Sequence, residues 1–317
     1  MILLHFFNHK DRNIKLFRKK NLCIILFTLI VITLISGCDR DDKNAVDGFA
    51  FIFLSDTQAN PEIGDYVPFG GLLELALSHE SRPKLLVLGG DNVNNGNSAE
   101  EWDAFWKATG ENLEDVFVAS VAGNHDNSQL LAQQFDYPQT APEKNTEGFF
   151  YTFTRSNVFF IMLDSNIMGA GNASDVEWLS EQLASSVAKE ADWRIAVLHH
   201  PFWPVANVPR DTQRAEIMRD KFLPVLEEYG IDLILCGHQH VYSRTAPMRG
   251  EDISEDGIIQ IMTASGAKES YTPGEKDYIE IIADTPVYLI IEVSTRMMSL
   301  TAFNTDGEPF DSIRIEK

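Results

Sequence analysis

Five short polar segments, each following an apolar run, contain the residue types that bind metal ions in proteins. They are Ser55-Asp56-Thr57-Gln58, Gly90-Asp91-Asn92, Gly123-Asn124-His125-Asp126, His199-His200-Pro201 and Gly237-His238-Gln239-His240. With 20 glycines and 8 histidines in 317 residues, a Gly-His-x-His segment is expected only about 0.01 times by chance. The five segments together, in this order, are therefore a strong signal of a metal site.

The donor atoms of these segments indicate first-row metals. Asp and Asn supply oxygen and His supplies nitrogen, a mixed set that suits Fe, Mn or Zn better than Ca. Two histidines spaced two residues apart on extended backbone point in similar directions, so each can serve one metal of a close pair. Two ions roughly 3.5–4 Å apart activate a water molecule and hold both oxygens of an in-line phosphoryl displacement. The segments therefore predict two divalent metal ions and hydrolysis of a phosphate ester.

The elements that must position these residues alternate between short apolar runs and amphipathic segments, a pattern that favours an α/β domain. Strands are predicted at Phe49–Leu54, Leu85–Leu88, Val116–Val121, Val158–Leu163, Ile195–Leu198 and Ile231–Cys236. Each candidate ligand segment begins within a few residues of the end of a predicted strand. Ligands of open α/β sheets bind at the carboxyl ends of the strands, so we expect the five segments to meet there.

The remaining elements are two amphipathic helices and a strand-rich tail. One helix is predicted after Ser174, with Glu177 completing a capping box and Val187 on its apolar face. A second is predicted from Asp211 to Tyr229, bent at Pro224. Strands of the tail are predicted at Ile258–Thr263, Val287–Val293, Met298–Phe303 and Ser312–Ile315.

The first 37 residues have the pattern of a targeting segment. Six basic residues precede an uncharged apolar run from Leu22 to Ile35. Fourteen residues reach about 21 Å, short of the roughly 30 Å of a bilayer core. Leu34-Ile35-Ser36-Gly37-Cys38 resembles the bacterial lipobox, in which the cysteine is acylated. The alternative is an ordinary cleavage site or a short anchor.

We therefore expect residues 1–37 to be a lipoprotein signal peptide, 38–47 an acidic tether and 48–317 the functional domain. Cys38 would carry a lipid anchor in the bacterial cell envelope, where the protein would be periplasmic or surface-exposed. The choice between inner and outer membrane stays open.

The charge balance excludes one class of partner. The whole chain has 26 basic and 47 acidic residues, a net charge of −21. Removal of residues 1–37 takes away six basic residues and one acidic residue, which leaves 20 against 46, or −26. A nucleic-acid binder needs clustered basic side chains, so none is expected as a partner. Three cysteines likewise exclude a disulfide scaffold.

The five segments resemble the pattern of the calcineurin-like metallophosphoesterase superfamily, which runs D-x-H, GD, GNH(D/E), H and GHxH. Residues 237–247, Gly-His-Gln-His-Val-Tyr-Ser-Arg-Thr-Ala-Pro, and residues 88–93 are similar to the purple acid phosphatase-like branch. The resemblance covers most of residues 48–317. It implies an α/β fold in which a β-sandwich is flanked by helices, in four layers αββα.

The resemblance also implies a role for each motif residue. Metal site one would take Asp56, Gln58, Asp91 and His240, and site two would take Asp91, Asn124, His199 and His238. His125 would donate a proton to the leaving group and would be oriented by Asp126. His199 rather than His200 is the implied ligand, because the family ligand lies two residues before the proline. His200 would contact substrate or cap the loop.

Two positions depart from the family pattern. Gln58 stands where the family usually has histidine, and we expect it to bind metal with reduced affinity; the alternative is that water fills the position and Gln58 lies behind it. Asn94 stands where purple acid phosphatases have the tyrosine that binds ferric iron and gives the colour. The resemblance therefore implies a colourless enzyme that uses divalent ions.

The sequence thus predicts an acid phosphatase-like hydrolase that acts on small phosphomonoesters outside the cytoplasm, through metal-activated hydroxide with His125 as proton donor. A phosphodiesterase acting on nucleotide or lipid headgroup diesters is one alternative. A non-catalytic binding module on the same fold is the other, with Gln58 and Asn94 as signs of decay. Retention of the other motif residues favours an enzyme. Oligomeric state stays open.

Overall fold

The structure is a computed structural model, and it describes residues 48–59, 66–110, 112–135 and 149–317. The predicted signal peptide (1–37) and tether (38–47), with Cys38, lie outside the described residues, so those assignments stay predictions. Within the described residues, no helix is both long and apolar enough to cross a membrane.

The apolar runs form strands that are buried on both faces. In the first strand, Phe51 and Phe53 belong to one apolar core, whereas Ile52 and Leu54 belong to another. Successive side chains of a strand point to opposite faces, so a strand covered on both sides has an unbroken apolar sequence. The predicted strands at 49–54, 85–88 and 158–163 are observed with the same bounds.

The strands and helices, in chain order, have the following bounds. The strands are β1 (Phe49–Leu54), β2 (Leu85–Leu88), β3 (Phe117–Ser120), β4 (Tyr151–Arg155), β5 (Val158–Leu163), β6 (Trp193–Leu198), β7 (Leu233–Cys236), β8 (Tyr242–Thr245), β9 (Met248–Arg249), β10 (Asp252–Ile253), β11 (Ile259–Met262), β12 (Ile279–Ala283), β13 (Tyr288–Val293), β14 (Met297–Phe303) and β15 (Pro309–Glu316). The helices are α1 (Val67–Leu77), α2 (Ala99–Thr109), α3 (Ser128–Gln134), α4 (Ser165–Met168), α5 (Ala173–Leu183), α6 (Ser186–Glu190), α7 (Pro209–Lys221) and α8 (Leu223–Glu228).

Most strands form two large sheets. Sheet 1 has the order β15-β14-β13-β1-β2-β3, and sheet 2 has the order β12-β8-β11-β7-β6-β5-β4. Strands β1, β2 and β3 run parallel in sheet 1, and β5, β6, β7 and β11 run parallel in sheet 2. The carboxyl ends of parallel neighbours lie at the same edge of a sheet. Sheet 1 therefore presents three of the candidate ligand segments together, and sheet 2 presents the other two.

The two sheets pack face to face, and helices cover their outer faces. The central core joins side chains of both sheets, such as Phe51 and Phe160, whose ring centroids are 5.3 Å apart. Side chains of α1, α2 and α3 pack on sheet 1, and those of α5, α7 and α8 pack on sheet 2. This arrangement confirms the expected β-sandwich flanked by helices.

The helix predictions were correct in position but not in detail. Helix α5 begins at Ala173 after Asn172, so Ser174 lies inside the helix and the predicted capping box is wrong. Val187 is 53% exposed and lies in α6, because a new helix begins there with the Ser185 side chain capping its amino end. The predicted 211–229 helix is two helices, α7 and α8, separated just before Pro224.

Arg244, from the segment similar to purple acid phosphatases, connects the two sheets. Its Nε donates to Asp311 Oδ2 at 2.8 Å and its Nη2 to Asp311 Oδ1 at 3.2 Å, while Nη1 pairs with Glu280. Tyr242 donates its hydroxyl to the same Asp311 carboxylate at 2.6 Å. Because Arg244 lies on β8 of sheet 2 and Asp311 on β15 of sheet 1, this buried ion pair fixes the sheets relative to each other.

Candidate metal centre

Loops that follow the carboxyl ends of strands in both sheets form hydrogen bonds with each other at one edge of the sandwich. His199, after β6 of sheet 2, donates from Nδ1 to the Gly89 carbonyl, after β2 of sheet 1, at 2.9 Å. The backbone N–H of His238, after β7, donates to Asp56 Oδ2, after β1, at 2.8 Å. The predicted ligand segments of the two sheets therefore contact one another directly.

Two glycines allow this close approach. A Cβ atom at Gly237 would collide with the side chains of Ser55 and Asp56, and one at Gly123 would collide with Asp91 Oδ1. The glycines that precede the polar residues in the third and fifth segments are thus required by packing around the carboxylates.

Asp56, Asp91 and His199 form a buried cluster that fits a metal ion. One ligand atom from each lies within 4.8 Å of the others, and their exposure is 1%, 1% and 0%. Asp56 Oδ1 and His199 Nε2 are buried without a hydrogen-bond partner. Buried polar atoms without partners are costly, so two such atoms facing one point indicate that a cation belongs there.

The electrostatics of the cluster agree with this interpretation. Burial alone would lower the pKa of His199, but the carboxylates of Asp91 and Asp56 raise it to about 10. Burial would raise the pKa of Asp91, and the charge on His199 is the main factor that holds it below its usual value. The carboxylates thus strongly favour positive charge at this position, and a metal ion would compete with a proton for the same nitrogen.

His240 and Gln58 complete the group predicted for site one. His240 donates from Nδ1 to the Glu269 carbonyl at 2.7 Å, which leaves Nε2 facing Asp56 Oδ1 at 3.5 Å. The same Nε2 lies 3.4 Å from Gln58 Nε2. The structure therefore brings the four predicted residues of site one together.

Gln58 is a hydrogen-bond donor to the predicted bridging carboxylate. Its Nε2 donates to Asp91 Oδ2 at 3.1 Å, and its buried Oε1 has no hydrogen-bond partner. In this orientation the amide supports Asp91 from behind the site. Rotation of the amide by 180° would place Oε1 at the same point, where it could serve as a metal ligand.

Gln58→His should strengthen metal binding at site one, because imidazole nitrogen is a better ligand for Zn and Fe than a neutral amide oxygen. We expect retention of the first metal against a chelator to improve by about tenfold or more, within the range over which ligand-shell changes alter affinity. Competition with a fluorescent chelator would measure it, with Gln58→Ala as the matched variant that offers no ligand. Equal retention in the wild type and both variants would contradict this prediction.

Of the residues predicted for site two, His238 lies beside the buried cluster, whereas Asn124 is exposed. The ring of His238 lies 5.1 Å from that of His199, centroid to centroid. Asn124 has an exposed side chain and lies between Gly123 and His125. The backbone N–H of His125 donates to Asp91 Oδ1 at 2.8 Å, so the loop that carries Asn124 is attached to the cluster.

His125 is oriented by a backbone carbonyl. Its Nδ1 donates to the Asn94 carbonyl at 2.7 Å, which leaves Nε2 as the nitrogen that can exchange a proton with a ligand. The expectation that Asp126 orients His125 is therefore wrong. Asn94, which stands where purple acid phosphatases have tyrosine, orients His125 through its backbone carbonyl.

Asp126 instead fastens two loops to each other. Its carboxylate accepts from the N–H of Gly123 at 3.0 Å, from the N–H of Asn92 at 3.1 Å and from Asn92 Nδ2 at 3.0 Å. Burial, together with the charge on Asp91, raises the pKa of Asp126 to about 7. Through these hydrogen bonds, the Asp126 carboxylate connects the second ligand segment, which contains Asn92, to the third, which contains Gly123.

His200 and the aromatic residues after it form part of the buried framework. His200 is 2% exposed, and its Nδ1 lies 2.9 Å from Ser165 Oγ, while its N–H donates to the same oxygen. Burial lowers its pKa well below the usual value, so it is neutral. Phe202 and Trp203 are at most 1% exposed, and Trp203 borders a cavity that none of the predicted metal ligands lines. Cys236 is buried, and burial raises the pKa of its thiol.

Two residues near the site were missed by sequence reasoning. Asp211 Oδ2 lies 3.0 Å from His238 Nε2, although the sequence assigned Asp211 only to a helix start. Burial would raise the pKa of Asp211, but the contact with His238 lowers it to about 2. Tyr271 places its ring centroid 5.8 Å from that of His238 and 5.4 Å from that of His240. Its segment reads as an acidic surface loop, and no local pattern marks it as part of a site.

Four of the predicted metal ligands have left-handed backbone. The φ angles are 50° at Asp56, 52° at Asp91, 82° at His238 and 53° at His240. Only six non-glycine residues of the described chain have positive φ. Such conformations are strained and persist where the surrounding structure fixes them, which is common at functional sites.

Comparison with known proteins agrees with the site. A family model described as calcineurin-like phosphoesterase matches residues 49–242, which include all five segments. Tartrate-resistant acid phosphatase type 5 of Rattus norvegicus is 24% identical over 290 residues, covering 78% of this chain and 86% of that protein. A probable glycerophosphodiester phosphodiesterase, GpdQ, of Arcobacter nitrofigilis is 30% identical over 169 residues, covering 52% of this chain and 59% of that protein.

A solved structure has the same fold. The purple acid phosphatase PPD1 of yellow lupin superposes with a TM-score of 0.69 at 16% identity, covering 86% of this chain and 54% of that one. The match spans only 28% of the length of a mycobacterial relative and 32% of a plant purple acid phosphatase. With the family model covering more than half of its residues, the chain belongs to the calcineurin-like phosphoesterase family.

Proposed function

We propose that this protein is a two-metal phosphoesterase that hydrolyses small phosphate monoesters outside the cytoplasm. The observation that carries the proposal is the buried cluster of Asp56, Asp91 and His199 beside His125, in which Asp56 Oδ1 and His199 Nε2 have no hydrogen-bond partner. Divalent ions bound there would supply an activated water molecule and charge stabilisation for displacement at phosphorus.

The chain's own residues divide the remaining work. Asp91 would be shared between the two ions, because its carboxylate contacts both Gln58, predicted for site one, and His199, predicted for site two. The N–H of His125 also contacts this carboxylate. His125 would donate a proton from Nε2 to the leaving oxygen, the general-acid step that makes an alkoxide a good leaving group. Its bond to the Asn94 carbonyl fixes the ring for that step.

The charge of the site supports an anionic substrate despite the acidic surface. Two divalent ions would add four positive charges next to Asp56 and Asp91, which carry two negative charges between them. A local positive centre can attract a phosphate ester even when the chain as a whole has a net charge of −21.

A diesterase is the second candidate. It is favoured by the partial similarity to a probable glycerophosphodiester phosphodiesterase. A monoester has one esterified oxygen on phosphorus and a diester has two, so one pair of substrates separates the two activities.

The test uses the purified full chain, with metal content measured before each assay. p-Nitrophenyl phosphate and bis(p-nitrophenyl) phosphate would be compared with Mn, Zn, Fe and Mg. At least tenfold faster turnover of the monoester supports the proposal, whereas the reverse order supports the diesterase. Absence of turnover of either ester, with two metals bound, would support the alternative of a non-catalytic binding module.

We also propose that Cys38 carries a lipid anchor in a bacterial envelope, on the basis of the lipobox-like segment before it. Cells fed a labelled fatty acid should incorporate the label into the wild-type protein. Cys38→Ser should abolish the labelling, whereas Cys236→Ser, which changes a buried cysteine of the domain, should not. Equal labelling of wild type and Cys38→Ser would rule out this anchor.

A further inference from the structure

Helix α7 places a buried carboxylate beside one of the predicted metal ligands. Asp211 is 3% exposed, and its Oδ2 lies 3.0 Å from His238 Nε2. The two atoms form a close polar contact rather than a linear hydrogen bond. No part of the function proposed above uses Asp211.

The contact determines which nitrogen of His238 carries a proton. A carboxylate oxygen 3.0 Å from Nε2 favours the tautomer with hydrogen on Nε2, because the negative oxygen attracts an N–H group and repels a nitrogen lone pair. In the neutral imidazole, Nδ1 is then the nitrogen with a free lone pair. A metal bound by His238 would therefore be bound through Nδ1.

His199 and His240 have the opposite arrangement. Each donates from Nδ1 to a backbone carbonyl, of Gly89 at 2.9 Å and of Glu269 at 2.7 Å, so each keeps Nε2 for a ligand. All three histidines thus have one nitrogen beside an acceptor oxygen, and only in His238 is that nitrogen Nε2. Acceptors behind metal-binding histidines commonly fix the tautomer and the ring orientation.

Asp211 is itself held rigidly. Gln239 Nε2 donates to Asp211 Oδ2 at 3.1 Å, and Gln239 Oε1 accepts from the N–H groups of Val205 at 2.8 Å and Ala206 at 2.9 Å. The residue that follows His238 therefore connects Asp211 to the loop after His199. The carboxylate accepts from Gln239 at Oδ2 and contacts Arg210 Nε at Oδ1, 3.4 Å away, so with His238 beside Oδ2 it serves as a support for His238.

We propose that Asp211 is a positioning residue that holds His238 with Nδ1 directed to the second metal. The proposal rests on the two-metal function, and it assigns a role to a side chain outside the five segments. Helix α7 and the loop before it thereby become part of the metal centre.

The test compares Asp211→Ala and Asp211→Asn with Asp220→Asn. Asp220 lies on the same helix, about 14 Å along its axis from Asp211, and is 71% exposed, so its substitution removes the same charge away from the contact with His238. Metal titration of the full chain, followed by mass spectrometry of bound Zn or Mn, would report the affinity of each site. We expect Asp211→Ala to weaken the second site by about 10- to 100-fold and to leave the first unchanged. Asp211→Asn keeps an acceptor oxygen and should fall between.

A second readout concerns the imidazole itself. Long-range ¹H–¹⁵N correlation on metal-free, ¹⁵N-histidine-labelled protein would report the tautomer of His238. The wild type and Asp220→Asn should have hydrogen on Nε2, whereas Asp211→Ala should shift toward the mixture found in free imidazole. Should Asp211→Ala fail to fold, Asp211→Asn supplies both readouts.

The outcomes separate this proposal from the function on which it rests. Wild-type affinity at both sites and an unchanged tautomer in the Asp211 variants would overturn the positioning role. Two bound metals without turnover in the wild type would remove the proposed function and leave the positioning role standing. A wild type that binds fewer than two metals would overturn both.

Discussion

Asp91→Asn should abolish phosphoester hydrolysis and release most of the bound metal. Asp91 is 1% exposed, and groups from three other ligand segments contact its carboxylate: Gln58 Nε2 at 3.1 Å, His199 Nε2 at 3.4 Å and the His125 N–H at 2.8 Å. A neutral amide cannot balance two divalent ions. Because metal ions supply several kcal/mol of transition-state stabilisation, we expect turnover to fall by about a thousandfold or more.

The control for this prediction is Asp103→Asn. Asp103 is an exposed residue of helix α2, and its substitution removes one negative charge without touching the site. Metal content by mass spectrometry and turnover of p-nitrophenyl phosphate would be measured in parallel. Retention of two metals and of substantial activity in Asp91→Asn would show that the carboxylate is not shared between ions.

His125→Ala should lower turnover by about 10²- to 10⁴-fold, the usual contribution of a general acid, while metal content stays at the wild-type level. The side chain is lost, but the N–H of residue 125 that supports Asp91 is a backbone group and remains. Activity and metal binding should therefore separate in this variant, in contrast to Asp91→Asn.

Leaving-group dependence makes the His125 test specific. An alkyl phosphate needs protonation of the departing oxygen, whereas p-nitrophenolate is a good leaving group without it. The loss in His125→Ala should therefore be larger for the alkyl phosphate. An equal loss for both esters, or a loss of metal that matches the loss of activity, would mean that His125 has a different role.

The fold and the cluster were predictable because local patterns specify them. Continuous apolar runs such as 49–54 and 158–163 indicated strands buried on both faces, and the polar residues after them lie at the carboxyl ends as expected. Asp56 and Asp91 follow neighbouring strands of sheet 1, and His199 joins them because it follows a strand of sheet 2 at the edge where the two sheets pack together. A strand end positions the residue that follows it, whatever the distant parts of the chain do.

The supports behind the ligands could not be predicted in the same way. Asp211 precedes His238 by 27 positions, and their contact depends on how α7 packs against sheet 2. The partner of His125 is the backbone carbonyl of Asn94, and every residue except the last in a chain has such a carbonyl, so no residue type indicates it. The resemblance implied that Asp126 orients His125, but its carboxylate accepts from the N–H groups of Gly123 and Asn92 instead, and such backbone partners have no signature in the sequence.

Left-handed backbone at four predicted ligands lowers stability at the same positions that metal binding requires. The four residues are Asp56, Asp91, His238 and His240. Glycine would adopt these conformations without the steric cost that a Cβ brings, which is roughly 1–2 kcal/mol for each residue. Glycine would also delete the metal-binding side chain. Selection for stability alone would therefore favour losing the centre, whereas selection for chemistry retains four locally unfavourable residues in one place. The four residues thus combine a locally unfavourable backbone with side chains that glycine cannot supply, so the strain itself marks positions where the site needs a side chain.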